Sequence, residues 1–153
     1  KNTPRQPESI NRVAARLLSD ISDNLVIAGI NERQEFYKMG ISSLFELPEF
    51  QELDRVFQLS SFFDEFEDIF AQIEHAFSND DNANPGEVVQ IFIGRENPLK
   101  NIKDEAVLFA NYNIPGQLTG SLTLVGPMRM DYEKNIGLVR YMKEVLDNLA
   151  QET

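Results

Sequence analysis

The stretch Gly120-Ser121-Leu122-Thr123-Leu124-Val125-Gly126-Pro127-Met128-Arg129-Met130-Asp131-Tyr132 decides how the rest of the chain is read. Polar and apolar side chains alternate from Ser121 to Leu124, the period of a half-buried strand. Gly126-Pro127 closes that strand, because proline brings no N–H to a ladder and the pair is a strong turn signal. A short corner carrying Arg129 follows. Beyond it Tyr132, Ile136, Val139, Met142, Leu146 and Leu149 recur by threes and fours, which is the spacing of one helix face. The sequence therefore predicts a strand, a corner and a helix from about Tyr132 to Ala150. Leu138, Tyr141 and Val145 widen the apolar face of that helix. We expect one side to pack on a sheet and a second side, drawn from Leu138, Tyr141, Met142, Val145 and Leu149, to face a partner chain.

Working back from the corner, Pro115-Gly116-Gln117 separates two apolar runs, Ala106 to Ile114 and Leu118 to Val125. Proline presets φ and glycine accepts φ > 0, so the three residues predict a hairpin turn. Val88 to Ile93 is a further strand, ending at Gly94. Asn24 to Ile30 and Gln34 to Met39 flank the polar turn Asn31-Glu32-Arg33 and form a second hairpin. Before it, Ile10, Val13, Ala14, Leu17, Leu18 and Ile21 mark a helix face with Ser9 as its N-cap. Arg5, Arg12 and Arg16 around its start are read as a solvated face. Lys1 to Glu8, with two prolines, reads as a linker, and 9–153 as one domain.

The middle of the chain predicts two helices. One opens on Pro48 and ends near Gln58, since proline suits the first helical turn. The next opens at Ser60-Ser61 with Asp64 closing a capping box. Phe62, Phe66, Ile69, Phe70, Ile73 and Phe77 supply its core face, with His75 on the surface. Ser78 to Gly86 is a loop by composition. Helices on one layer and antiparallel strands on another make the fold class α+β.

Composition sets the function classes aside in turn. A chain of 153 residues suits one domain with one core. A formal net charge of −11 argues against nucleic-acid binding by this surface, because phosphate contacts need clustered Lys and Arg. With no cysteine and one histidine, thiolate chemistry and a multi-histidine metal site are excluded. No apolar run reaches the roughly 20 residues of a membrane span, and no signal-peptide pattern opens the chain. No nucleophile and base stand at a recognisable spacing, so we expect no enzyme, no cofactor and a cytoplasmic setting. Arg95 and Arg129 sit at two strand-end turns, where an arginine binds an anion or pairs with a carboxylate of its own domain such as Glu96 or Asp131.

The wording of these turns resembles one family. Gly126-Pro127-x-Arg129-Met130 followed by Tyr132 is similar to the C-terminal signature of the heat-inducible transcription repressor HrcA. Ile93-Gly94-Arg95-Glu96-Asn97-Pro98 resembles that family's strand end, and Tyr112 its aromatic strand position. Phe36-Tyr37, Gly40 and Pro48-Glu49-Phe50 echo a further segment, and Ala15-Arg16-Leu17-Leu18-Ser19 the helix that follows its DNA-binding domain.

The resemblance implies a GAF-like antiparallel sheet packed against helices, acting as the regulatory and dimerisation domain of a repressor of chaperone genes. It further implies operator DNA bound by a winged helix outside these residues, a homodimer, and the chaperonin as a partner. The alternative it leaves is a small-molecule sensor with its pocket near Arg95, Tyr112 and Arg129. From Asn24–Ile30 the chain passes almost directly to Phe36-Tyr37, with no room for the family's inserted dimerisation segment. A reduced, divergent member is the expectation.

Overall fold

Hydrogen bonding joins the strands in the order β2-β1-β5-β4-β3, so the first and last strands of the chain meet at the centre of one sheet. In the computed structural model, residues 7–33, 35–48, 51–64, 89–94 and 104–151 are described. The strands are β1 (Leu25–Ile30), β2 (Glu35–Met39), β3 (Gln90–Ile93), β4 (Glu105–Ile114) and β5 (Leu118–Pro127). The helices are α1 (Pro7–Ser22), α2 (Ile41–Phe45), α3 (Leu53–Asp64) and α4 (Tyr132–Gln151). All strand pairs are antiparallel. The α+β class expected from the sequence is the class observed.

Both predicted hairpins are present. Val26 lies opposite Met39 and Ile30 opposite Glu35, with a 3₁₀ turn at Asn31–Arg33 between the strands. Glu32 in that turn accepts the Thr119 N–H at 2.8 Å, which holds its carboxyl below the usual range. In the other hairpin the register runs from Ile114 opposite Leu118 to Glu105 opposite Pro127. Its turn places Gly116 at φ 91° and Gln117 at φ 63°.

Alternation then sorts the side chains onto two faces. Val26, Ala28 and Ile30 of β1, Leu108, Ala110 and Tyr112 of β4, and Leu122 and Leu124 of β5 join Ile10, Ala14 and Leu18 of α1 and Val139 and Leu146 of α4 in one core. Leu25, Ile27, Val107, Phe109, Thr123 and Val125 occupy the opposite face and are equally buried.

Several local expectations give way to tertiary packing. α1 starts at Pro7, so Ser9 lies inside it rather than capping it. Its buried stripe is Ile10, Asn11, Ala14, Ala15, Leu18 and Ser19, which leaves Val13, Leu17 and Ile21 exposed. The helix ends at Asp23, whose φ of 58° lets its N–H return to the Ser19 carbonyl at 2.8 Å, the left-handed stop usually given to glycine. The short helix expected from Pro48 to Gln58 is observed only from Leu53 onward. Before it, Gln51 N–H bonds the Pro48 carbonyl at 3.2 Å. The break expected at Ser60-Ser61 is absent, because α3 runs through both serines to Asp64. Phe66, Ile69, Phe70, Ile73, His75, Phe77 and the Ser78–Gly86 loop lie outside the described residues.

α3 holds the fully buried Leu59 and is tied to the sheet by charge. Arg55 donates from Nη2 to Glu105 Oε2 at 3.0 Å and to the Asp104 carbonyl at 3.2 Å. Burial pushes the Glu105 carboxyl above the ordinary 4.5, and the Arg55 guanidinium draws it back. A carboxyl raised on folding favours the folded state below about pH 4.5 and loses that contribution as pH rises through its folded value. Arg55→Ala removes the counter-charge, so Glu105 rises further. We expect a loss of about 2 kcal/mol at pH 7 that shrinks at pH 5. Urea melts at the two pH values check this, and an equal deficit at both would remove the charge argument.

Candidate functional site

The corner between β5 and α4 draws four element ends into one knot. β5 reaches it at Gly126, where an added Cβ would lie 2.3 Å from Asn24 Oδ1 and 2.9 Å from Met130 Cε. Asn24, at the entry to β1, is itself buried. Its carbonyl accepts the Ser19 hydroxyl at 3.1 Å and its N–H donates to Ser22 Oγ at 3.2 Å. Gly40, leaving β2 at φ 95°, passes so close that a Cβ would meet Ser19 Oγ at 2.3 Å and the Asn24 carbonyl oxygen at 2.4 Å. Side-chain volume is excluded from both glycine positions by the groups that cross them.

The turn itself is fixed from within. Met130 N–H closes on the Pro127 carbonyl at 3.0 Å, and the buried Met130 sulfur accepts Asn135 Nδ2–H at 3.3 Å. Asp131 caps α4 by accepting the Lys134 N–H at 3.1 Å, which satisfies a free helix donor and contributes about 1 kcal/mol. The Tyr132 hydroxyl donates to the Met128 carbonyl, and burial raises its pKa. Arg129 and Met128 face solvent at the tip. The signature residues Gly126, Pro127, Met130 and Tyr132 thus hold a corner in shape, and Arg129 is what the corner presents.

The remaining residues singled out from the sequence separate in space. Gly94 ends β3 at φ 59° and is buried, while Arg95 and Glu96 lie outside the described residues. Tyr112 is buried in the core, where its hydroxyl donates to Asn11 Oδ1 of α1 and burial pushes its pKa upward. Tyr112 pairs with Gly120, and Pro127 is seven positions further along β5. At about 3.3 Å per residue Tyr112 and Arg129 therefore stand roughly 20 Å or more apart. No one pocket among the described residues holds both.

On α4, Leu138, Met142 and Leu149 pack against the core with part of their surface, Val145 is half-buried and Tyr141 is exposed. A cleft of about 130 Å³ opens instead between α1 and β2, where Arg12 stacks over the Tyr37 ring at 5.2 Å beside Glu8 and Asn11. Spare hydrogen-bonding capacity lies on the sheet itself, where the buried hydroxyls of Ser121 and Thr123 have no partner among the described residues. Periodicity does not mark the buried asparagines Asn11, Asn24 and Asn135; for Asn11 and Asn135 the available signal is an asparagine at a core-facing helix position.

A family model for the HrcA protein C-terminal domain matches residues 2–136. The chain belongs to that family. Relatives named as the heat-inducible transcription repressor HrcA include that of Lachnoclostridium phytofermentans, 27% identical over 138 residues, which are 89% of this chain and 39% of the relative. That of Moorella thermoacetica is 28% identical over 142 residues, 93% of this chain and 38% of the relative. That of Desulfitobacterium hafniense is 30% identical over 136 residues, 89% and 36% respectively. The chain thus spans under two fifths of the length of these relatives.

Among solved structures, a protein described as hypothetical superposes with a TM-score of 0.73 at 14% identity, covering 95% of this chain and 70% of that one. A GAF domain/HD domain protein from Geobacter sulfurreducens gives 0.53 at 12% identity, covering 97% and 94%. These likenesses show the fold, and that fold is GAF-like. The HrcA corner motif therefore sits where a GAF-like sheet hands over to its last helix.

Proposed function

We propose that this HrcA C-terminal domain is the regulatory and dimerisation part of a transcriptional repressor of heat-shock genes. On this reading a winged helix outside these residues contacts operator DNA, two domains set the spacing of two DNA-binding heads, and the chaperonin is a partner. The observation that carries it is the family match running through the whole sheet and the corner into α4. Two supports accompany it. The net charge of −11 leaves DNA contact to another part of the protein. The corner offers shape and one exposed arginine rather than a nucleophile with a base. A dimer fits a palindromic operator because two-fold protein symmetry matches two half-sites.

A chimera tests the proposal. This chain replaces the C-terminal domain of the Lachnoclostridium phytofermentans relative, and a chaperone-promoter reporter is read before and after heat shock. Repression restored at low temperature and relieved on heating is the expected result. A chimera that represses no better than the isolated DNA-binding part would overturn it.

A further inference from the structure

α1 and α4 lie side by side on one face of the sheet. One flank of each is spoken for. Glu8 and Arg12 of α1 turn toward the first hairpin, where Glu8 pairs with Arg33 at 2.7 Å and Arg12 covers the Tyr37 ring. Lys143 and Asp147 of α4 turn toward β4, bonding the Asn111 carbonyl at 2.9 Å and the Asn113 N–H at 2.7 Å. At 100° per residue the opposite flanks of the two helices then face each other across their seam. Val13, Leu17 and Ile21 stand on the α1 side with 56%, 48% and 48% of their surface exposed, and Tyr141 on the α4 side with 65%. Three aliphatic side chains spaced by four make an apolar strip along α1 of the kind that proteins cover, and the exposed Tyr141 ring stands on the neighbouring helix.

The charges beside the strip say what covers it. Arg16 and Asp20 border it on the solvent side and are exposed. Neither has an ion-pair partner among the described residues. Asp20 also lies in the last turn of α1, which holds no basic residue. A carboxylate there opposes the helix dipole and gains from an incoming cation. We infer that the strip is the interface with a second copy of this chain, α1 packing antiparallel against the partner's α1 about a two-fold axis near Leu17. Val13 then meets the partner's Ile21, Leu17 meets the partner's Leu17, and Arg16 reaches the partner's Asp20. The same axis generates the second Arg16–Asp20 pair, as a self-complementary surface requires. Tyr141 closes the side of the seam.

This interface rests on the dimerisation half of the proposed function and gives it an address. Sedimentation equilibrium of the chain and its variants tests it. Leu17→Glu, which places two carboxylates at the axis, is expected to raise the dimer dissociation constant about 100-fold or more. Arg16→Asp or Asp20→Arg alone is expected to raise it about tenfold, since each reversal sets like charges together twice. Arg16→Asp combined with Asp20→Arg is expected to restore most of the affinity. All three positions are exposed in the single chain, so circular dichroism stays unchanged. A double variant no tighter than either single one overturns the antiparallel register. A dimer that survives Leu17→Glu overturns the interface and leaves dimerisation standing, whereas a wild-type chain that stays monomeric overturns both.

Discussion

Tyr112→Ala is expected to lower the unfolding free energy by about 5 kcal/mol, as much as the whole stability of a domain at the lower end of the usual range. Two losses add. The ring fills the space over Gly120, where an added Cβ would lie 2.3 Å from Tyr112 Cζ, so truncation opens a cavity between the sheet and α1 near the β4–β5 turn. The hydroxyl is also the partner of Asn11 Oδ1, across a sequence separation of 101 residues. Removing it strands a buried amide. Tyr112→Phe separates the two, because it keeps the ring and strands only Asn11. We expect about 1–2 kcal/mol from that change in urea titrations. If the phenylalanine variant proved as unstable as the alanine one, the cavity account would fail. If both were silent, Tyr112 would have to be released from the core and returned to the ligand pocket expected from sequence.

Gly126→Ala is the second large effect, at about 3 kcal/mol. One methyl group is small, but its neighbours cannot step aside. Asn24 is buried between Ser19, Ser22 and Gly40, and Met130 is pinned from the other side by Asn135. Gly137, eleven residues on, supplies the contrast. It lies within α4 with nothing within 4 Å of an added Cβ, and alanine is the better helix former. Gly137→Ala is expected to stabilise by about 0.5–1 kcal/mol. Thermal melts of the two variants should move in opposite directions. A neutral Gly126→Ala would mean that the corner tolerates what its geometry excludes.

What could be read in advance follows from the range of the forces involved. The two hairpins, the corner and the last helix rest on local rules. Pro115-Gly116 must turn, Gly126-Pro127 must end a strand, and the apolar period places the end of α4 within one residue of Gln151, where it is observed. Such signals survive folding because no distant contact competes with them. α1 shows the limit. Its apolar residues span an arc wider than one core-facing stripe, and periodicity alone does not say which edge the sheet takes. Packing on β1 chose the edge containing Ala14 and Leu18 and left Leu17 outside. Ser60-Ser61 carried the composition of a cap, yet α3 continues through it, since a serine pair weakens a helix by only a few tenths of a kcal/mol per residue.

The candidate site was legible as wording and not as geometry. Gly126, Met130 and Tyr132 were marked, but the residues they serve, Asn24, Ser19 and Gly40, come from more than 80 positions earlier. Contacts at that distance leave no periodic trace. The same holds for Tyr112 and Arg129, which chemistry groups in the sequence and the strand register of β4 with β5 pulls to opposite ends of the sheet.

The place of β5 between β1 and β4 sets a timetable for synthesis. β1 is complete at Ile30, but the strand that covers its inner edge ends only at Pro127. At a translation rate of about 5–20 residues per second, the first hairpin waits roughly 5–20 s with one apolar edge unpaired. During that interval Val26, Ala28 and their neighbours present backbone donors and acceptors to any strand nearby. A nascent copy on the same message is one such strand. The polypeptide is therefore most open to mispairing while it is being made, and its yield depends on how well the cell shelters an unfinished sheet.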